Sequence, residues 1–239
     1  MEEKVVGILG GMGPDATVDL MQRIIRLTPA RDDGDHIRCI IDNNPKIPSR
    51  IKALLEGGKQ DPAPVMAEMA RQLEAHGADF LTIACNTAHY YYPAVRDSVS
   101  IPVLNIVELV AAHLKTHHPQ CKRVGFMASP AVYKTKLYSR VFQDAGLFEV
   151  WPGKAQQEDM LGVIKSVKAG DTGGAVQETY ARICSHLKEL GADIALVGCT
   201  DLGVLEPPTT LPIVDAAEVL AQAIVARAKQ GADGGDMSP

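Results

Sequence analysis

One phrase occurs twice in this chain, and it restricts the fold more than any other feature. Gly77-Ala78-Asp79 leads through an apolar run to Cys85, and Gly191-Ala192-Asp193 leads through Ile194–Gly198 to Cys199 and Thr200. A shift of 114 positions lays Gln72–Asp79 over His186–Asp193, and each copy reads as the end of a helix, a turn and the start of a buried strand. With small changes of offset, Ile101-Pro102-Val103-Leu104-Asn105 matches Leu211-Pro212-Ile213-Val214-Asp215, and Lys4–Leu9 matches Cys121–Met127. Three matched segments in the same order indicate an internal repeat whose period is too long for a solenoid of short units, so two similar lobes are expected. Cys85 and Cys199 then occupy equivalent places, where the fold can present them to each other. Two opposed thiols at one site suggest proton transfer on both faces of a substrate.

Composition narrows the class. A chain of 239 residues, 46% hydrophobic and 22% charged, can bury the core of one large or two modest domains. A formal net charge of −5, without a dense Lys/Arg stripe, argues against a nucleic-acid or anionic-membrane partner and for a small molecule. The N-terminus passes from Glu2-Glu3-Lys4 straight into the strand-like Val5–Leu9, with no leader pattern, and no apolar run approaches the ~20 residues of a membrane helix. A cytoplasmic protein is the expectation. Five cysteines, an odd number without C-x-x-C spacing, read as reduced thiols; Cys39 and Cys184 read as core residues.

Short runs of Val, Ile and Leu alternate with longer amphipathic segments, the pattern of parallel strands and crossover helices in an α/β protein. Strands are expected near 5–9, 37–41, 80–84, 103–104, 124–127, 148–150, 194–197 and 213–214. Helices are expected near 15–27, 62–76, 88–98, 107–117, 131–145, 158–169, 174–190 and 216–229. Residues 1–105 form the first lobe in this reading and 106–215 the second, with a C-terminal helix over 216–230 packing back on the first lobe. Residues 231–239, rich in Gly, Asp and Ser, read as a flexible tail.

In open parallel sheets, ligands bind beyond the carboxyl ends of the strands, and both cysteines fall there. Asn86-Thr87-Ala88-His89 follows Cys85 and Thr200-Asp201 follows Cys199, short polar side chains suited to capping a helix and docking a carboxylate. A helix N-terminus favours the thiolate, so the expected effect is to lower a thiol from about 8.5 toward neutrality. A single cysteine at a strand end is usually a small hydrophobe. A matched pair, each followed by Thr or Asn-Thr, is more than packing requires.

The segments Leu9-Gly10-Gly11-Met12-Gly13-Pro14, Cys85-Asn86-Thr87-Ala88-His89 and Gly198-Cys199-Thr200 resemble the hallmarks of the aspartate/glutamate racemase family, in particular its aspartate racemase branch. The resemblance implies two similar Rossmann-like α/β lobes related by a pseudo-two-fold repeat, with the active site between them. It implies a homodimer that needs no cofactor, pyridoxal phosphate included, and no metal. Cys85 and Cys199 become the two acid/base residues, and Asn86, Thr87 and Thr200 hold the α-carboxylate and ammonium, with Met12 and Gly13 among the substrate-binding positions. Arg50 matches an arginine near the substrate side chain, and its guanidinium suits a second carboxylate. Lys168 matches a lysine of the second lobe, with Lys165, one helical turn earlier, as its competitor. The implied reaction interconverts L- and D-aspartate, one thiolate taking the Cα proton and one thiol returning a proton to the opposite face.

Glutamate racemases open with an Asp-Ser-Gly type motif and place His after the second Gly-Cys-Thr, whereas this chain has Gly10-Gly11-Met12 and Asp201. Asp201 also departs from the Glu of broader-specificity relatives. A glutamate or broad-specificity racemase, or a two-lobed ligand-binding protein without catalysis, are the alternatives. Other motifs carry less. Gly7–Gly13 lacks the G-x-G-x-x-G order of a dinucleotide site, and His113 and His117 have i, i+4 spacing without a zinc motif. His89 either tunes a thiol or lies on a helix face, and Tyr90-Tyr91-Tyr92 either covers the cleft or packs in an interface.

Overall fold

The computed structural model describes residues 3–205 and 209–229. The first half contains β1 (Val6–Gly10), α1 (Pro14–Leu27), β2 (Cys39–Asn43), α2 (Arg50–Leu55), α3 (Ala63–Ala75), β3 (Phe80–Ile83), α4 (Tyr92–Arg96) and α5 (Ile106–His117). The second contains β4 (Arg123–Met127), α6 (Pro130–Thr135), α7 (Ser139–Asp144), β5 (Phe148–Val150), α8 (Lys154–Lys168), α9 (Gly174–Glu189), β6 (Ile194–Val197), β7 (Ile213–Asp215) and α10 (Ala216–Lys229). Every pairing is parallel: one sheet has the order β2-β1-β3 and the other β5-β4-β6-β7. The strand expected at 103–104 is only a bridge from Leu81 to Val103, in the position beside β3 that β7 holds beside β6. The chain leaves the sheet there because Asn105, two residues on, already caps α5.

The repeated phrase has the same structural role in both lobes. Gly77 and Gly191 end α3 and α9 at φ +94° and +84°, a left-handed conformation that a side chain would oppose. Ala78 N–H and Ala192 N–H then bond back to Leu73 and Leu187 carbonyls. Asp79 Oδ2 accepts from Val5 N–H at 2.7 Å, and Asp193 Oδ2 from Arg123 N–H at 2.8 Å. Each aspartate thereby sets the register of its strand against the central strand β1 or β4. Gly7 and Gly125, in those central strands, sit under the turn: a Cβ at Gly7 would lie 2.5 Å from Leu81, and one at Gly125 3.0 Å from Ala192. Asn105 and Asp215 cap the helices that follow, accepting from Val107 N–H (3.0 Å) and Ala217 N–H (2.8 Å).

Strands β1, β3 and β6 are buried throughout, as expected for strands covered on both faces. One core joins the lobes: Val6, Ile8 and Phe80 of the first sheet and Val124, Phe126 and Ile194 of the second share it with apolar residues of α5 and α10. Helix α10 lies against α1 and α5, and Lys4 N–H bonds to the Ala228 carbonyl. The buried Arg23 of α1 reaches across to Asp215 at 2.9 Å and Glu218 at 2.9 Å. The tail read over 231–239 lies outside the described residues. Among the described residues, no helix is long and apolar enough to cross a membrane.

Several helices differ from their sequence reading. The stretch 131–145 breaks into α6 and α7 at Lys136, which has φ +52°, and the break turns Tyr138 into the core against Phe126 and Phe142. Residues 88–98 begin as a 3-10 turn over Thr87–Tyr91 and become α-helical only at Tyr92, where Pro93 supplies the pre-set φ of a first turn. Arg50 lies not in a loop but at the start of α2, which Ser49 caps by accepting from Lys52 N–H. Helix α8 starts at Lys154, a turn earlier than its apolar pattern suggests.

Candidate functional site

The carboxyl ends of β1, β3 and β6 open onto one cleft of about 460 Å³. Met12, Gly13, Arg50, Cys85, Asn86, Thr87, Lys168, Cys199 and Thr200 all line it, together with Lys165, Ser129 and Asp201. Each cysteine comes directly after a short buried strand, held by a ladder bond to the central strand: Ala84 N–H to Leu9 O and Gly198 N–H to Met127 O, both at 2.9 Å. The register that the two aspartates impose therefore carries through to the position of each thiol.

The expected helix-dipole activation of the thiols does not describe Cys199. The segment after it, Thr200–Val204, is a five-residue 3-10 turn, and no side chain caps it; the same holds for Asn86 before Thr87–Tyr91. So short a turn has little aligned dipole to offer. Burial instead pushes the Cys199 thiol well above its ordinary range, the adjacent Asp201 carboxylate adds to this, and Cys85 adds further in the same direction. Cys199 Sγ lies 3.6 Å from Asp201 Oδ2, so the resting form is a thiol donating to a carboxylate.

Asn86 and Thr87 are tied across the lobes rather than into a cap. Tyr138 O–H donates to Asn86 Oδ1 at 2.8 Å, which leaves Asn86 Nδ2 buried without a partner at the cleft. A buried amide donor without an acceptor favours an anionic or carbonyl ligand. Thr87 Oγ1 lies 3.0 Å from Ser129 Oγ. Ser129-Pro130 follows β4 as Gly13-Pro14 follows β1, so the repeat carried a signal for Ser129 that sequence reasoning missed; nothing in the sequence pointed to Tyr138.

Arg50 is held from three sides. Its Nη1 donates to the carbonyls of Ile47 (3.4 Å) and Pro48 (3.0 Å), and Nη2 to that of Met12 (3.1 Å). Of five guanidinium protons these use three. Nε is buried and has no partner among the described residues, so the guanidinium is not saturated by its carbonyl contacts. Lys168 Nζ is engaged by Asp201 Oδ2 at 2.7 Å. Lys165 shares the cleft.

His89 neither titrates near neutrality nor faces solvent. Its Nδ1 lies 2.9 Å from the Cys85 carbonyl, and Nε2 accepts from Ile106 N–H at 3.1 Å. A carbonyl cannot donate, so the ring is neutral with the proton on Nδ1, and burial lowers it to about 4. It fastens the Cys85 turn to the start of α5. In the tyrosine run, Tyr91 is buried, Tyr92 O–H donates to Val103 O at 3.1 Å, and Tyr90 is half exposed. Cys121 and Cys184 are buried, and Cys39, half-buried in β2, is pushed up to about 11 by burial and Glu3. Among the described residues, no cluster of His, Cys, Asp or Glu is placed to hold a metal ion.

The model of the Asp/Glu/hydantoin racemase family matches residues 9–224. The chain belongs to that family. A broad-specificity amino-acid racemase from Bacillus subtilis is 29% identical over 230 residues, spanning 92% of this chain and 96% of that protein. An aspartate racemase structure from Picrophilus torridus superposes with TM-score 0.84 at 32% identity, covering 94% of each chain. A glutamate racemase structure from Bacillus anthracis shares the fold, with TM-score 0.68 at 20% identity over 99% of this chain and 85% of that one. Two parallel sheets flanked by helices are thus the two-lobed racemase fold, and membership of the Asp/Glu racemase family supports an amino-acid racemase.

Proposed function

We propose that this racemase-family protein interconverts L- and D-aspartate, with Cys85 and Cys199 as the two proton-transfer groups and no added cofactor. The observation that carries this reading is the convergence on one cleft of the two repeat-equivalent thiols with Arg50, whose guanidinium suits a second carboxylate. Cys199, hydrogen-bonded to Asp201, begins as the proton donor. Cys85 as thiolate removes the Cα proton from one face, the electron pair of that C–H bond delocalises into the carboxylate, and Cys199 Sγ–H protonates the other face. The product leaves with Cys85 as thiol and Cys199 as thiolate, the state that starts the reverse direction. Asn86 Nδ2, Thr87 and Thr200 offer donors to the carboxylate on which charge builds.

The test is L-aspartate in D2O without added cofactor, following optical rotation and deuterium at Cα. Loss of rotation with one deuterium incorporated is expected, and Cys85→Ser and Cys199→Ser should each stop racemisation. Retained rotation without label, in a folded sample given aspartate, glutamate and neutral amino acids, would remove the proposal. Thiols protected by aspartate in that sample, without exchange, would identify a silent binding protein instead.

A further inference from the structure

The candidate substrate cleft has a neighbour. A second cleft of about 310 Å³ lies beyond it, and the two share Gly13, Pro14, Lys168, Thr200 and Asp201 as common wall. Away from that wall, the outer cleft is faced by Ala16, Val167, Gly170 and Val204, with Asp15 and Thr172 as its polar members, and most of its surface is apolar.

Part of that shared wall is an ion pair. Lys168, at the last turn of α8, reaches Asp201 on the opposite segment, Nζ to Oδ2 at 2.7 Å. The pair rests on the bare Cα of Gly13: a Cβ there would fall 3.1 Å from Asp201 Oδ1 and 3.2 Å from Lys168 Nζ. Two side chains from separate segments therefore meet over a glycine of a third, in the space that its missing side chain leaves. Asp201 is buried and Lys168 partly exposed, so the bridge is inside the protein at one end and reachable from solvent at the other. Both partners are side chains rather than backbone, so this part of the wall can be removed by substitution.

Resting on the reading of the inner cleft as an amino-acid site, we propose that the Lys168–Asp201 bridge is a partition that limits substrate side-chain length, and that the outer cleft is a latent pocket for unbranched apolar side chains. An aspartate side chain, one methylene and a carboxylate, ends at Arg50 and stays inside the partition. A longer chain meets the bridge. With the bridge absent, such a chain passes Gly13 and lies along Ala16, Val167 and Val204.

The experiment uses the Lys168→Ala/Asp201→Ala double variant, which removes both charges together and strands neither. Binding of L-methionine and L-aspartate is measured by calorimetry, so that a lost hydrogen bond to Cys199 does not hide the result. The absolute affinity for L-methionine should rise at least about tenfold over the wild-type protein. Adding Val204→Trp, which fills the outer cleft from its exposed side, should reverse that gain. An unchanged methionine affinity, a gain that survives Val204→Trp, or a double variant that binds neither ligand would each overturn the partition. Failure of the underlying function reads differently: the wild-type protein would then neither bind nor label aspartate.

Discussion

His89 gives this fold a calculable sensitivity to acid. The imidazole is buried, neutral and used on both sides, donating from Nδ1 to the Cys85 carbonyl and accepting at Nε2 from Ile106 N–H. Burial lowers it from 6.5 to about 4, so the unfolded chain takes up a proton well before the native state does. Stability from the neutral ring is therefore fully present above pH 6.5 and is lost as pH falls through about 4. At roughly 1.4 kcal/mol per pH unit, that interval corresponds to about 3.5 kcal/mol, a large part of the 5–15 kcal/mol typical of a domain. The comparison is urea unfolding of the wild-type protein and His89→Gln between about pH 7.5 and about pH 4.5. Glutamine keeps a donor and an acceptor but cannot gain the proton. The stability advantage of wild type over the variant should shrink by about 2.5 kcal/mol across that range, while carboxylates titrating elsewhere cancel in the difference. Two curves that fall in parallel would show that His89 is not the buried, neutral strut inferred from its two bonds.

Further consequences are open to measurement. Gly7→Ala should destabilise the protein by about 1–3 kcal/mol through overpacking, and by more than Gly125→Ala, because its Cβ would meet Leu81 at 2.5 Å whereas the nearest atom at Gly125 is 3.0 Å away; equal effects in denaturant unfolding would contradict this. Arg23→Met should cost about 3–5 kcal/mol, since it strands Asp215 and Asp19, and adding Asp215→Asn should recover part of the loss. A single variant as stable as wild type would mean that the bridge contributes nothing. Tyr138→Phe frees Asn86 Oδ1; loss of about 1 kcal/mol of orientation should raise KM for aspartate about five- to tenfold, and an unchanged KM would place Asn86 outside the binding set.

Much of the architecture was legible because it depends on short-range chemistry. Apolar runs such as Phe80–Ile83 and Ile194–Val197 can only be buried strands, and the Gly-Ala-Asp turns before them encode a left-handed glycine and a register-setting carboxylate in consecutive letters. The break at Lys136 and the separate helix α2 were not legible. The first exists to turn Tyr138 inward against Phe126, and the second depends on the Ser49 cap after a proline-rich loop.

The site divides along the same line. The sequence alone determined that two cysteines stand at equivalent strand ends, because duplication and hydrophobic periodicity are local properties of the chain. It led to the wrong expectation for the electrostatics of Cys199, because a thiol's proton affinity depends on what surrounds it. Only the tertiary structure decided that burial and Asp201 surround that thiol, that Lys168 is already paired across the cleft, and that Tyr138 and His89 position the residues around Cys85. Those contacts join residues from separate elements, and low local dielectric makes their spacing, rather than their identity, set the energy.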